Sequence, residues 1–286
     1  MEKRKVLRRL IEQPGMLIVP GAYDCISARL IERAGFPAVY MTGAGVAASR
    51  TGLPDYGLTT MTEMAETAGN MANSIRVPLI ADADTGFGNE LNLARTVREY
   101  ELRGVAAIQI EDQVFPKKCG HLDQKEVVSR EEFLSKVRMA AMQRTDPDFL
   151  IVARTDARAV IGFEEAVERM NLAFEAGANV AFLEAPQTVE EIRSVPALLK
   201  GPCLLNIVSG GKTPPVSLKD AEAWGYKIAL LPAVGVTTVV TALSEVLGKI
   251  ADEREYAGTS VSVKDFFNLM GMEEWDRLKA VAARPS

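Results

Sequence analysis

The chain has 286 residues, 48% of them hydrophobic and 25% charged, and a formal net charge of −5 at pH 7. This composition can bury a large core and excludes a disordered or fibrous protein. The acidic balance argues against a nucleic-acid partner, which demands a basic face to displace counterions from phosphate.

The first residues, MEKRKVLRRLIEQPG, lack an apolar signal region and read as an ordinary surface helix carrying Glu2 and Glu12. No apolar run reaches the roughly 18 to 20 residues needed to span a bilayer, so a cytoplasmic protein with no membrane partner is expected. Cys25, Cys119 and Cys203 are an odd, widely spaced set, which fits a reducing compartment and neither a disulfide framework nor a zinc site. His121, the single histidine, excludes any metal site that needs two imidazoles.

Eight short apolar runs follow in order: MLIVPG from Met16, AVYMTG from Ala38, PLIADAD from Pro78, AIQIEDQ from Ala107, FLIVARTDA from Phe149, VAFLEAP from Val180, CLLNIVSG from Cys203 and IALLPA from Ile228. Runs this short and apolar suit parallel strands covered on both faces. Helical patterns fill the gaps, among them CISARLIERAG, MTEMAETAGNMANSI, REEFLSKVRMAAMQR and VVTALSEVLGKIADE. Gly35, Gly104 and Gly177 are expected C-terminal stops, and Ser129 and Thr188 expected N-caps. Complete βα alternation without hairpin signals predicts one (β/α)8 TIM barrel over residues 1–286, in preference to a doubly wound sheet. Residues from about 255 to 286 form a C-terminal helical extension, whose Phe266, Phe267, Leu269, Met270 and Trp275 exceed what a barrel's helical ring needs. It either folds back on its own barrel or docks on a neighbouring subunit.

Active sites of such barrels lie at the C-terminal strand ends. The third strand ends in Asp82-Ala83-Asp84, and residues two apart share a side, so both carboxylates can face the barrel mouth. Of the adjacent Glu111 and Asp112 only one can join them, and Glu111 is assigned. Oxygen-only ligands favour Mg²⁺, or Mn²⁺, over zinc. Asp55, in GLPDYG, adds a water-mediated contact. The fifth strand supplies Arg154 and Asp156, and an arginine fork there can hold a substrate carboxylate. Glu184 and Asn206 end the next two strands.

The loop DQVFPKKCGHLDQKEVVSREE is longer than the usual ~2 to 6 residues between strand and helix, which predicts a lid. Within it Lys117, Lys118, Gly120 and His121 surround Cys119, a setting expected to favour thiolate and proton exchange. Cys25 and Cys203 read as core residues. Gly43-Ala44-Gly45-Val46-Ala47-Ala48 has a dinucleotide-binding look, but no acid at a strand end follows at the required distance. Thr42, Gly43 and Ala44 are read instead as a turn offering backbone N–H groups to a substrate carboxylate.

KKCGH with EDQ before it, ADADTGFGN, ARTDAR, GLPDYG and NIVSGGKTP together resemble the isocitrate lyase and phosphoenolpyruvate mutase superfamily over nearly the whole chain. The short branch of that superfamily includes methylisocitrate lyase, 2,3-dimethylmalate lyase, oxaloacetate hydrolase and decarboxylase, and carboxyphosphonoenolpyruvate mutase. The cysteine of KKCGH resembles the lyases. The resemblance implies metal ligation by Asp82 and Asp84, with Asp55 and Glu111 reaching Mg²⁺ through water. It also implies a carboxylate loop at Thr42, Gly43 and Ala44, a general acid at Cys119 and an active-site tyrosine at Tyr40. Arg154, Glu184 and Asn206 fall at substrate contacts, and the usual assembly is a homotetramer with an exchanged C-terminal helix.

Methylisocitrate lyases continue after the asparagine with Thr-Glu-Phe-Gly, whereas Ile207, Val208, Ser209 and Gly210 follow Asn206 here. A substituted malate is therefore expected in preference to a tricarboxylate. The expected reaction is Mg²⁺-dependent cleavage of a C–C bond in a 2-hydroxy dicarboxylate, giving pyruvate or another 2-oxo acid, with Cys119 as acid and Tyr40 or a metal-shell group as base. Three other readings share these residues: oxaloacetate hydrolysis or decarboxylation, phosphonate rearrangement, and a ligand-binding barrel without turnover.

Overall fold

The computed structural model describes residues 2–282. Met1 and residues 283–286, the end of the expected extension, lie outside the described residues. All eight expected strands form: β1 (Leu17–Ala22), β2 (Val39–Met41), β3 (Leu79–Asp82), β4 (Ala107–Glu111), β5 (Leu150–Thr155), β6 (Val180–Leu183), β7 (Cys203–Asn206) and β8 (Ile228–Leu231). They close in sequence order into a barrel, every neighbouring pair parallel, with β8 pairing back onto β1. The predicted barrel is observed.

The helices are α1 (Glu2–Glu12), α2 (Cys25–Arg33), α3 (Gly43–Val46), α4 (Met61–Ser74), α5 (Glu90–Leu102), α6 (Arg130–Gln143) and α7 (Ala157–Val160). They continue with α8 (Phe163–Glu175), α9 (Val189–Leu198), α10 (Leu218–Trp224), α11 (Val234–Glu253), α12 (Val263–Leu269) and α13 (Met272–Ala282). Ser129 and Thr188 cap α6 and α9, accepting the Glu132 and Glu191 N–H groups. Gly35, Gly104 and Gly177 end their helices at φ between 85° and 108°, a conformation glycine adopts without a Cβ penalty. The expected turn after β2 is instead α3 followed by a π-helical turn over Ala47–Thr51.

Side-chain alternation along each strand creates two cores. Val39, Met41, Leu79, Ile108, Ile151 and Leu205 pack outward against the helices. Val19, Tyr40, Ile80, Val152, Phe182 and Leu230 fill the barrel interior. Leu7 of α1 joins this inner core fully buried, and Arg4 is buried beside it, with hydrogen bonds to the Glu101 and Val105 carbonyls below β4. The basic N-terminal helix is therefore the barrel's floor, which corrects its reading as an ordinary surface helix.

The chain divides into two compact units, Met1–Val236 and Thr237–Ser286. That division lies upstream of the extension boundary expected near residue 255. Within the second unit α12 and α13 are separated at Gly271, with φ of 87°. The expectation that no apolar segment reaches membrane-spanning length is also corrected. α11 is 20 residues long, with mean hydropathy 1.4 over its most apolar window, long and apolar enough by length and composition to cross a bilayer. Its Val239-Val240 and Val246-Leu247 pairs contribute to that apolarity.

Candidate active site

Because inward positions recur every second residue, each strand's last inward side chain meets its neighbours at the upper rim. There the strands place Tyr40, Asp82, Glu111, Arg154 and Asn206, with Asp156 and Glu184 one residue and Asp84 two residues beyond their strand ends. All eight are buried. Adjacent Glu111 and Asp112 do diverge. Glu111 faces Arg154 inside the barrel, while Asp112 accepts the Asp156 N–H and pairs with Arg169 of α8. Burial, then the neighbouring Asp156 charge, pushes the Asp112 carboxyl up to about 6.

Asp82 is anchored on three sides. Its Oδ2 accepts the Gly43 N–H at 3.2 Å, and its Oδ1 accepts the Asp84 N–H at 3.0 Å and Gln109 Nε2 at 3.3 Å. A Cβ on Gly43 would lie 2.5 Å from Asp82 Oδ2 and 3.4 Å from Asp84 Oδ1, so only glycine permits this approach, and the two carboxylates border one space. Asp84 holds φ of 47°, a left-handed conformation that asparagine and aspartate tolerate better than other side chains. Lys117 Nζ lies 2.6 Å from Asp55 Oδ1 and 2.8 Å from Asp84 Oδ1. Burial alone would lower the Lys117 ammonium, but Asp84, Glu111 and Asp55 outweigh it and keep it charged. Burial pushes Asp84 up to about 6 against the pull of Lys117. Glu111 is pushed well above the carboxylate range, by burial first, with Arg154 opposing.

The donor set suits a small hard cation. Asp84 Oδ1 and Glu111 Oε1 are buried without a hydrogen-bond partner, the Lys117 ammonium standing close to the first but misaligned for a bond. All the candidate donors are carboxylate oxygens, the chemistry Mg²⁺ selects. Among the described residues no three such side chains form a complete cage. Mg²⁺ needs none, since it binds through one or two carboxylates and keeps its waters.

Arg154 is fixed by Asp156, whose Oδ2 accepts Nε at 2.9 Å and Oδ1 accepts Nη2 at 3.2 Å. Its Nη1 lies 3.2 Å from Glu111 Oε2, and its guanidinium carbon sits 5.1 Å from the Phe182 ring centre. Asn206 Nδ2 donates to Glu184 Oε2 at 3.2 Å.

The long loop between β4 and α6 lies over these groups. Gln113 and Val127 bridge its neck, and Gln113 also clasps Lys118 N–H and C=O. Gly120 is buried so tightly that a Cβ there would collide with Arg154 and Glu184. His121 Nδ1 accepts the Lys212 N–H at 3.0 Å, so in the neutral ring Nε2 carries the proton, 3.2 Å from Glu184 Oε1. Burial lowers the His121 pKa against the pull of Glu184 and keeps the ring neutral.

Three expectations need correction. Cys119 is not driven toward thiolate: burial pushes its thiol up, outweighing the His121 N–H that lowers it. Lys117 and Lys118, its neighbours in sequence, are turned to Asp55 and Asp84 and to the Gln124 carbonyl. Tyr40 is not a resting base, because burial and then Asp82 hold its phenol protonated and it donates to Gln109 Oε1. Thr42, Gly43 and Ala44 begin α3, where Thr42 is the N-cap and the Gly43 N–H is committed to Asp82. Cys203 is buried as expected, and Cys25 is half-buried.

Two participants went unread in the sequence. Gln109, in phase with Glu111, joins Tyr40, Asp82 and Glu111 in one hydrogen-bonded group. Lys125 donates from the loop to Asp156 Oδ1 at 2.6 Å.

A family model described as phosphoenolpyruvate phosphomutase matches residues 7–251. The chain is 45% identical over 271 residues to 2,3-dimethylmalate lyase of Eubacterium barkeri, covering 94% of each protein. It is 43% identical to 2-methylisocitrate lyase of Aeropyrum pernix, covering 98% of this chain and 91% of the relative. A solved structure of oxaloacetate acetylhydrolase with 3,3-difluorooxalacetate superposes with a TM-score of 0.96 at 35% identity, covering 99% and 98% of the two chains.

Proposed function

The chain belongs to the phosphoenolpyruvate phosphomutase family, and on that premise we propose that it is a Mg²⁺-dependent lyase cleaving a C–C bond in a 2-hydroxy dicarboxylate. The observation that carries the reading is the pairing of two groups at one rim. Glu111, whose Oε1 has no hydrogen-bond partner, stands beside Arg154, Asp84 shares its Oδ1 with Lys117, and the thiol of Cys119 in the loop is kept protonated.

Asp82 and Asp84, supported by Asp55 and Glu111, would hold Mg²⁺ (Mn²⁺ as substitute), which when bound would supply Lewis-acid polarisation of a substrate hydroxyl and carboxylate. Arg154, held by Asp156 through Nε and Nη2 and by Glu111 at Nη1, sets its positive charge beside a substrate carboxylate. Asn206, Glu184, Thr42, Ala44 and Gly120 complete the walls. The substrate hydroxyl gives its proton to a carboxylate of this pocket. The C–C bond then breaks, leaving pyruvate or another 2-oxo acid and a carbanionic carboxylate. Cys119 protonates that carbon and becomes thiolate, which the His121 backbone N–H and the Arg154 charge stabilise.

Ile207 and Val208, half-buried after Asn206, support an apolar substituent and hence a substituted malate such as 2,3-dimethylmalate. Hydrolysis of oxaloacetate is the second reading, favoured by the near-complete superposition on an oxaloacetate acetylhydrolase. Exposed Val240, Leu247, Phe267 and Trp275 in the second unit support a homotetramer in which other copies cover these side chains. The reading carries a cytoplasmic metabolic role.

Purified protein with Mg²⁺ should release a 2-oxo acid from one member of a panel of malate, 2-methylmalate, 2,3-dimethylmalate, methylisocitrate, isocitrate and oxaloacetate, and EDTA should abolish it. Consumption of oxaloacetate alone would transfer the assignment to a hydrolase or decarboxylase. Turnover that survives EDTA would remove the metal from the mechanism.

A further inference from the structure

Lys125 is a loop lysine whose side chain is 1% exposed, an unusual burial for an ammonium. Its Nζ makes two contacts: it donates to the Gly120 carbonyl within its own loop, and to Asp156 Oδ1, 2.6 Å away on the barrel. Gly120 presses against Arg154 and Glu184. Asp156 holds Arg154 through both carboxylate oxygens and is itself held by donating its N–H to Asp112. Asp112 continues the chain to Arg169 of α8, whose Nη1 also donates to the Val128 carbonyl at the loop's far end.

We propose that Lys125 is a positioning residue that latches the β4–α6 loop onto the barrel through Gly120 and Asp156, so that loop closure and alignment of Arg154 are a single event. The geometry gives Lys125 no path to substrate, because Gly120 and Asp156 occupy its ammonium. Its effect is on which loop position Arg154 and Cys119 share. The reading of Arg154 as the substrate arginine belongs to the proposed function, whereas the latch itself is independent of turnover.

The test uses full-length protein, without substrate, and site-resolved mass spectrometry of iodoacetamide labelling. In Lys125→Met the ammonium is lost while Asp156 keeps Arg154 as its partner, so the buried carboxylate is not stranded. Labelling of Cys119 should quicken by at least about tenfold, the effect on a local opening equilibrium of losing one charged hydrogen bond. Cys203, in the core, should stay as slow as in the parent, and Lys125→Arg should restore much of the Cys119 protection. Cys119 labelling within twofold of the parent would overturn the latch. Equal acceleration at Cys119 and Cys203 would also overturn it, by showing general loosening instead. If the substrate panel is silent and this pattern holds, the lyase reading fails and the latch stands.

Discussion

Glu111 Oε2 lies 3.2 Å from Arg154 Nη1, across the β4–β5 ladder in which these two residues are register partners. One carboxylate oxygen is thereby committed to the arginine, and Oε1 is left without a hydrogen-bond partner. Glu111→Gln keeps the shape and removes the charge. Mg²⁺ affinity by titration calorimetry should weaken by about 10- to 100-fold, the range for outer-shell partners. Unchanged affinity would show that Glu111 serves only Arg154.

Cys119→Ser retains a hydroxyl of similar size that is a far weaker acid. Lyase kcat should fall by about 10²- to 10⁴-fold with Mg²⁺ binding unaltered. Full turnover in this variant would remove the thiol from the protonation step.

The pH dependence follows from the same thiol. An acid catalyst must be protonated, and burial raises the Cys119 pKa, so activity is present at neutral pH and is lost only as pH rises through that raised value. The kcat profile should show an alkaline limb above the free-thiol range, absent from the residual activity of Cys119→Ser. A limb lying below that range would contradict the buried, protonated state.

Tyr40 donates to Gln109 and stays protonated. Tyr40→Phe should therefore cost about tenfold in kcat, short of the 10²- to 10⁴-fold typical of a lost general base. A loss in the larger range would restore Tyr40 as the base.

Leu7 closes the barrel floor at full burial. Leu7→Ala should destabilise the protein by about 2–5 kcal/mol in urea unfolding and leave KM unchanged, since the site is at the opposite rim. A change in KM without a loss of stability would argue against the floor assignment.

The eight strands were legible because each is a short apolar run whose polarity changes at its end, and the rim acids because Asp82 and Asp84 are two residues apart. Lys125 was not legible, since its partner Asp156 is 31 residues away and pairing depends on how the loop lies over β5. The Cys119 environment misled for a related reason: Lys117 and Lys118 are adjacent in sequence but turned to other partners. In α1, flanking basic residues masked Leu7 and its inward face. Gln109 was within reach of pattern reading, standing two residues before Glu111 on the same strand face.

The Lys212 N–H that seats His121 belongs to the segment just beyond Ile207 and Val208. Any remodelling of that segment to admit a larger or more polar substituent also shifts the histidine's anchor, and with it the cysteine two residues earlier. On the proposed function, substrate choice and proton delivery would be geared to each other by one backbone amide. Selectivity grafted in from a relative would arrive mistimed unless the KKCGH loop is exchanged with it.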